Sequence, residues 1–265
     1  VAVRQLGAVH RQSFSIPVIG ITGSNGKTVV KEWLYQLLHA DFSIVRSPRS
    51  YNSQIGVPLS VWALNENTQL GIFEAGISEP YEMKKLQPII NPTIGIFTNL
   101  GDAHQENFHS LKQKCEEKLK LFKQAEVLIY NSDNKVVDIS IAQSGFKGQL
   151  FSWGKVDKAV LKVLDLKKSL HKTSVSMRYK SVEFTLDIPF ADDASIENAL
   201  QCVAVLLHLG YDKKEIARRV QLLEAVAMRL EVKDGTRNCL IINDSYNSDL
   251  NSLGIALDFL NQQAT

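Results

Sequence analysis

Gly23 and Gly26, followed directly by Lys27 and Thr28 in the string Gly20-Ile21-Thr22-Gly23-Ser24-Asn25-Gly26-Lys27-Thr28, are residue types suited to holding a nucleoside triphosphate. Glycines let backbone N–H groups turn inward around phosphate oxygens, a lysine reaches the terminal phosphates, and a threonine hydroxyl can join a Mg²⁺ ion. The string follows an apolar run, Ile16 to Ile21, and precedes a helical pattern, Val29 to Leu38. That strand-loop-helix context is the one such a loop requires. The loop is a variant, because the strict spacing puts a glycine at position 21, where this chain has Ile21. The bland alternative is a glycine turn ahead of a helix.

Further groups stand where a reaction could use them. Glu74 ends the apolar run Leu70-Gly-Ile-Phe-Glu74, and a carboxylate facing bound triphosphate is a natural Mg²⁺ ligand, since that metal prefers oxygen donors shared with phosphate. His104 follows another strand end, Ile94 to Asn99; a lone histidine in a polar loop is usually a solvated side chain. Lys118 lies in a lysine-rich helical stretch, Leu111 to Phe122, and its chemistry alone assigns it no role. Asn198 opens a helical pattern where it reads as a cap competitor. Asp244, Tyr246 and Asn247 form a polar turn after Leu240-Ile-Ile.

The elements that must position these groups alternate. Apolar runs at Ile16–Ile21, Leu70–Glu74, Thr93–Phe97 and Val127–Tyr130 are separated by helical spacings at 29–38, 82–86 and 111–122. This predicts an α/β fold, a mostly parallel sheet flanked by helices, with ligands collecting at the carboxyl ends of the strands. After Trp153 the period changes to two, at 160–166, 174–179 and 182–188, which predicts a small antiparallel subdomain. Helical spacing returns at 194–209 and 213–223, and Cys239 to Ala264 reads as one strand and one helix. The expected organisation is a linker at 1–15, a central ATP-binding domain at 16–234 and the start of a second α/β domain at 235–265.

Bulk properties narrow the partners. Thirty Lys and Arg against 28 Asp and Glu, a net charge of +2, argue against nucleic acid as a partner. Cys115, Cys202 and Cys239 form no C-x-x-C pair, which argues against zinc and a disulfide framework and for a reducing compartment. No apolar run approaches the roughly 20 residues needed to cross a bilayer, so no membrane insertion and a cytoplasmic location are expected.

The T-G-x-x-G-K-T string resembles the Mur ligases and the related folylpolyglutamate synthases, in which this loop holds ATP. Ser50-Tyr51-Asn52-Ser53-Gln-Ile-Gly56-Val-Pro58 is similar to the N-x-N-N-x-I-G-V-P stretch of the Mur ligases that add D-alanyl-D-alanine, with Ser53 in place of the second asparagine. Glu74-Ala-Gly76, Asn99 to His104, Lys118 to Phe122, Asn198-Ala, Arg229-Leu-Glu and Asp244-Ser-Tyr246-Asn247 follow in the family's order. Met228 stands where the family has glycine. The wording at 47–53 and 244–250 looks most like the subgroup in which this ligase precedes an alanine racemase.

The resemblance implies ATP and two Mg²⁺ ions as cofactors. Glu74, His104 and a carbamylated Lys118 would be metal ligands beside Thr28, leaving Lys114 and Lys120 as ordinary surface lysines. Gly23, Ser24, Asn25, Gly26, Lys27, Asn198, Arg229, Asp244, Tyr246 and Asn247 would hold the nucleotide. Asn52 and Ser53 would face the substrate. Lys27, Lys118 and His104 would be catalytic. The partners implied are UDP-N-acetylmuramoyl-tripeptide and D-alanyl-D-alanine, joined through an acyl phosphate. A folylpolyglutamate synthase, or a nucleotide-binding unit unable to ligate alone, are the other readings.

Overall fold

The computed structural model describes residues 2–101, 105–236, 239–246 and 250–263. The elements run α1 (Ala2–Gln12), β1 (Val18–Thr22), α2 (Lys27–Leu38), β2 (Ile44–Arg46), α3 (Gly56–Val61), β3 (Leu70–Glu74), α4 (Met83–Ile90), β4 (Ile94–Phe97), α5 (Leu111–Leu119) and β5 (Val127–Asn131). They continue with α6 (Lys135–Gln143), β6 (Gln149–Gly154), β7 (Leu161–Lys168), β8 (Thr173–Tyr179), β9 (Val182–Ile188), α7 (Asp193–His208), α8 (Lys213–Val220), β10 (Glu231–Asp234), β11 (Leu240–Asn243) and α9 (Leu250–Gln263).

One nine-stranded sheet has the order β2-β3-β1-β4-β5-β6-β7-β8-β9, parallel from β2 to β7 and antiparallel from β7 to β9. Its inner strands read as unbroken apolar runs because helices cover both faces. The period of two sorts them: Ile19, Ile21, Ile72, Ile96 and Ile129 point into one core with α2 and α7, while Val18, Phe73, Phe97 and Leu128 point into the other with α4 and α5. β1 lies between β3 and β4, so the chain leaves β1 toward one edge and returns past it to β4. That reversal opens a crevice at the carboxyl end of β1, where the glycine loop begins.

The antiparallel strands expected after Trp153 are present, and β7 pairs with β6, so they continue the main sheet. Short elements β2 and α3 carry too few residues to show a period, and α6 was also unforeseen. The stretch expected as a linker holds α1, whose buried Arg11 donates to the carbonyls of Ile90 (3.0 Å) and Asn91 (3.2 Å) and ties it to α4. Residues 235–246 contribute β11, which pairs antiparallel with β10. No helix among the described residues is long and apolar enough to cross a membrane.

Candidate active site

The glycine loop joins β1 to α2 and depends on two backbone positions. Gly23 has φ +151° and Gly26 φ +80°, conformations an L side chain rarely adopts. A Cβ on Gly23 would lie 1.9 Å from Thr98 Oγ1, and one on Gly26 would lie 2.2 Å from Asn198 Oδ1. Asn198, in the first turns of α7, therefore rests on the loop. Its helix is set by Asp192, whose carboxylate accepts from the Ser195 N–H at 2.8 Å. Gln201, one turn further along α7, donates to the carbonyls of Phe97 and Thr98 and pins the end of β4 beside the loop. Asn25 N–H donates to Asn99 Oδ1 at 2.8 Å, and Ser24 Oγ exchanges hydrogen bonds with Gly101.

Lys27 folds over the loop and donates to the carbonyls of Gly23 (3.0 Å) and Ser24 (2.8 Å). Burial pushes its pKa down to about 8; Arg229 and Lys114 act in the same direction and Glu74 opposes them. Thr28 Oγ1 lies 3.1 and 3.3 Å from the two oxygens of Glu74 and 2.8 Å from Ser50 Oγ. Glu74 is fully buried, and Asn52 Nδ2 approaches its Oε2 at 3.4 Å. The Ser53 hydroxyl accepts from the N–H groups of Ile55 and Gly56 at the turn into α3.

Two lysines of α5 turn inward. Lys118 is buried and donates to the Gly23 carbonyl at 2.9 Å, on the same loop residue that Lys27 touches. Burial first, then Lys27 and Lys114, hold its pKa well below the usual lysine range. Lys114 corrects the expectation of a surface lysine: it is 1% exposed and donates to Gly101 at 2.6 Å. Lys120 is the exposed one, paired with Glu117. The helix period separates them, since 114 and 118 share a face and 120 does not.

From the far side, Arg229 reaches Ser50 Oγ at 3.5 Å, and its guanidinium lies 4.3 Å over the ring of Tyr246. Asp244 Oδ1 accepts from the Leu230 N–H at 3.3 Å. Met228 has φ +62°, a left-handed conformation that is strained for a residue with a side chain. Lys27, Thr28, Asn198, Arg229, Asp244 and Tyr246 line one cleft of about 510 Å³. His104 and Asn247 lie outside the described residues.

The oxygens of Glu74, Thr28 and Ser50 suit Mg²⁺, a hard cation that takes one or two carboxylates plus phosphate and water. Among the described residues no three His, Cys, Asp or Glu side chains gather into a self-contained metal cage. The site thus fits a metal shared with phosphate. Lys31 and Ser50 also enter it, and neither was assigned a role from sequence. The signal for Lys31 was its position three residues after Thr28 and before Leu34, on the face α2 turns inward.

The sequence profile of the Mur ligase middle domain matches residues 21–206. The UDP-N-acetylmuramoyl-tripeptide--D-alanyl-D-alanine ligase of Bacillus subtilis is 29% identical over 259 residues, covering 97% of this chain and 55% of that protein. The protein of the same name from Borreliella burgdorferi is 33% identical over 241 residues, covering 88% of this chain and 50% of its own length. The crystal structure of MurF from Acinetobacter baumannii matches with a TM-score of 0.86 at 23% identity, over 99% of this chain and 58% of that one. MurF ligase from Thermotoga maritima, solved in complex with ADP, matches with a TM-score of 0.85 at 23% identity, over 98% and 60%. The chain spans about half the length of the curated relatives it matches. A glycine loop cradled by α7, a buried glutamate facing its threonine, and a matching profile over residues 21–206 lead to one conclusion: the chain belongs to the Mur ligase family.

Proposed function

We propose that this chain is the nucleotide-binding part of an ATP-dependent ligase that joins D-alanyl-D-alanine to UDP-N-acetylmuramoyl-tripeptide in the cytoplasm. The observation that carries this reading is the glycine loop itself: Lys27 and Thr28 line the cleft, and the buried Glu74 and Lys118 back them from beneath, on Thr28 and on the Gly23 carbonyl. The names of the curated relatives support the substrate pair.

In this reading Lys27 turns from the loop carbonyls to the terminal phosphates of ATP and offsets charge that gathers as the γ-phosphoryl group moves to the peptide carboxylate. The amine of D-alanyl-D-alanine then displaces phosphate from the acyl phosphate, forming the amide. Thr28 and Glu74 would hold Mg²⁺, which would supply neutralisation of phosphate charge. Arg229 offers a planar fork to phosphate, and Asn198, Asp244, Tyr246 and Asn247 hold the nucleoside. Asn52, beside Glu74, faces the peptide substrate; Ser53 is kept for the same side, although its hydroxyl is engaged in the turn into α3.

Lys118 is proposed to add CO₂ at its amine, losing one proton and becoming a carbamate. Burial that favours the neutral amine favours this addition, and the product offers anionic oxygens to a second Mg²⁺ with His104. We assign residues 16–234 to the ATP-binding domain and 235–265 to the start of the next.

The test supplies the full-length protein with ATP, Mg²⁺, D-alanyl-D-alanine and UDP-N-acetylmuramoyl-tripeptide, and reads the product mass. The expected product is the amide of the two substrates with one ADP and one phosphate released. ADP release that needs glutamate and a folate, with no amide from D-alanyl-D-alanine, would instead establish the folylpolyglutamate reading.

A further inference from the structure

Lys31 sits one helical turn beyond Lys27, fully buried, in a helix whose other inward residues are apolar: Val30, Trp33, Leu34, Leu37 and Leu38. A buried ammonium is costly unless it is paired and hydrogen-bonded. Lys31 has four acceptors in reach: the carbonyls of Ser47 (2.7 Å) and Arg49, Glu74 Oε1 (3.3 Å) and Glu32 Oε1 (3.1 Å). Its pair with Glu74 is buried on both sides. The Arg49 carbonyl belongs to a left-handed residue, φ +49°, in the turn that leads from β2 toward α3. That turn delivers Ser50 to Thr28 and Asn52 to Glu74.

We propose that Lys31 is a positioning residue for the metal and phosphate site. It holds Glu74 by Oε1, leaving Oε2 to Thr28 and Asn52, and it fixes the backbone of 47–50 so that Ser50 and Asn52 arrive together. Without Lys31, the Glu74 carboxylate keeps the neutral donors Thr28 and Asn52, and the turn loses the two backbone ties from Ser47 and Arg49 to α2, keeping the Thr28–Ser50 hydroxyl contact. This proposal rests on the nucleotide and metal reading above.

Two measurements on the 265-residue chain test it. Calorimetry compares ADP binding with Mg²⁺ and in EDTA, for the parent and Lys31→Met. The expected result is at least a tenfold fall in Mg-ADP affinity while metal-free affinity stays within about twofold. A Mg²⁺-dependent gain equal to or larger than the parent's would overturn the proposal, because Lys31 would then only offset buried charge. Lys31→Met alone leaves Glu74 buried without its cation, a cost that can unfold the chain, so hydrogen exchange is read on a Glu74→Gln background. There, adding Lys31→Met should speed exchange of the Ser47, Tyr51 and Asn52 amides at least tenfold, since these close the turn through Ile72, Pro48 and Ser50 carbonyls. Equal exchange would also overturn it. A parent chain that binds no nucleotide would refute the site reading instead, and the exchange arm would still decide the role of Lys31.

Discussion

Lys27 links charge, burial and binding at a single position. Its folded pKa of about 8 lies below the ordinary 10.5, so the folded chain releases its proton at lower pH than the unfolded chain does. Below pH 8 both states carry the charge, and the folded state bears the burial penalty, on the order of 3 kcal/mol. Between pH 8 and 10.5 the unfolded state holds more protons, so stability rises with pH. Nucleotide-free parent should therefore gain stability relative to Lys27→Met across that window in chemical denaturation; parallel curves would disprove the shift. Binding moves the other way, since the protonated amine is the form that meets phosphate: ADP affinity should fall above pH 8 in the parent but not in Lys27→Met. At neutral pH, Lys27→Ala should weaken binding about 10- to 100-fold, the scale of a hydrogen bond to a charged group.

Lys118 calls for a chemical test at the same scale. With ¹³C-bicarbonate and Mg²⁺-nucleotide near neutral pH, a carbamate carbon signal should appear in the parent and be absent from Lys118→Ala. Identical spectra would remove the assignment. The resemblance alone singled out this lysine, because the sequence of α5 does not say which of its lysines face inward. Lys114 shows the consequence: it was expected at the surface and is buried beside Gly101.

Among the elements, the glycine loop and the 226–231 turn behave oppositely. Gly26 has positive φ and Asn198 pressed on its missing Cβ, so Gly26→Ala should cost about 1–3 kcal/mol and abolish measurable ADP binding. Met228 occupies left-handed backbone with a side chain attached. Met228→Gly should relieve roughly 1–2 kcal/mol of strain, less about 0.5–1 kcal/mol of added unfolded-state entropy. The expected outcome is a thermal midpoint equal to or above the parent's; a clear fall would mean that Met228 packing outweighs the backbone term. Alternation along the strands and the breaks between them made β1, β3, β4, β5 and β7 to β9 legible. β2 and α3 were not, since three- and six-residue elements are held by neighbours.

For the whole molecule, α7 is the member that makes the fold and the site one object. It is buried along most of its length, supports the sheet, rests Asn198 on the loop and pins β4 through Gln201. Trp33 of α2 adds a second tie, donating to the Glu224 carbonyl at 2.8 Å and stacking on Phe190. A ligand that engages the loop and α7 together should stabilise the molecule as a unit. At a hundredfold excess over its dissociation constant, Mg-ADP should add about 2.7 kcal/mol. For a chain of this size that raises the thermal midpoint by roughly 5–10 °C, and Lys27→Ala should lose most of the rise at the same concentration. No shift in the parent would mean that nucleotide does not bind the folded cleft.

The order of apolar runs, the glycine string and Glu74 at a strand end were enough to define an α/β fold with a glycine loop and a carboxylate at its carboxyl edge, because strand period and loop chemistry are local properties. Orientation and pairing are not local. That Lys118 of α5 reaches the glycine loop, that Asn52 reaches Glu74, and that Lys31 joins α2 to the 47–50 turn all depend on contacts between residues 16 to 95 positions apart in the chain. Such contacts form only when helices close over a sheet, where a buried charge must find its partner wherever the chain has placed it.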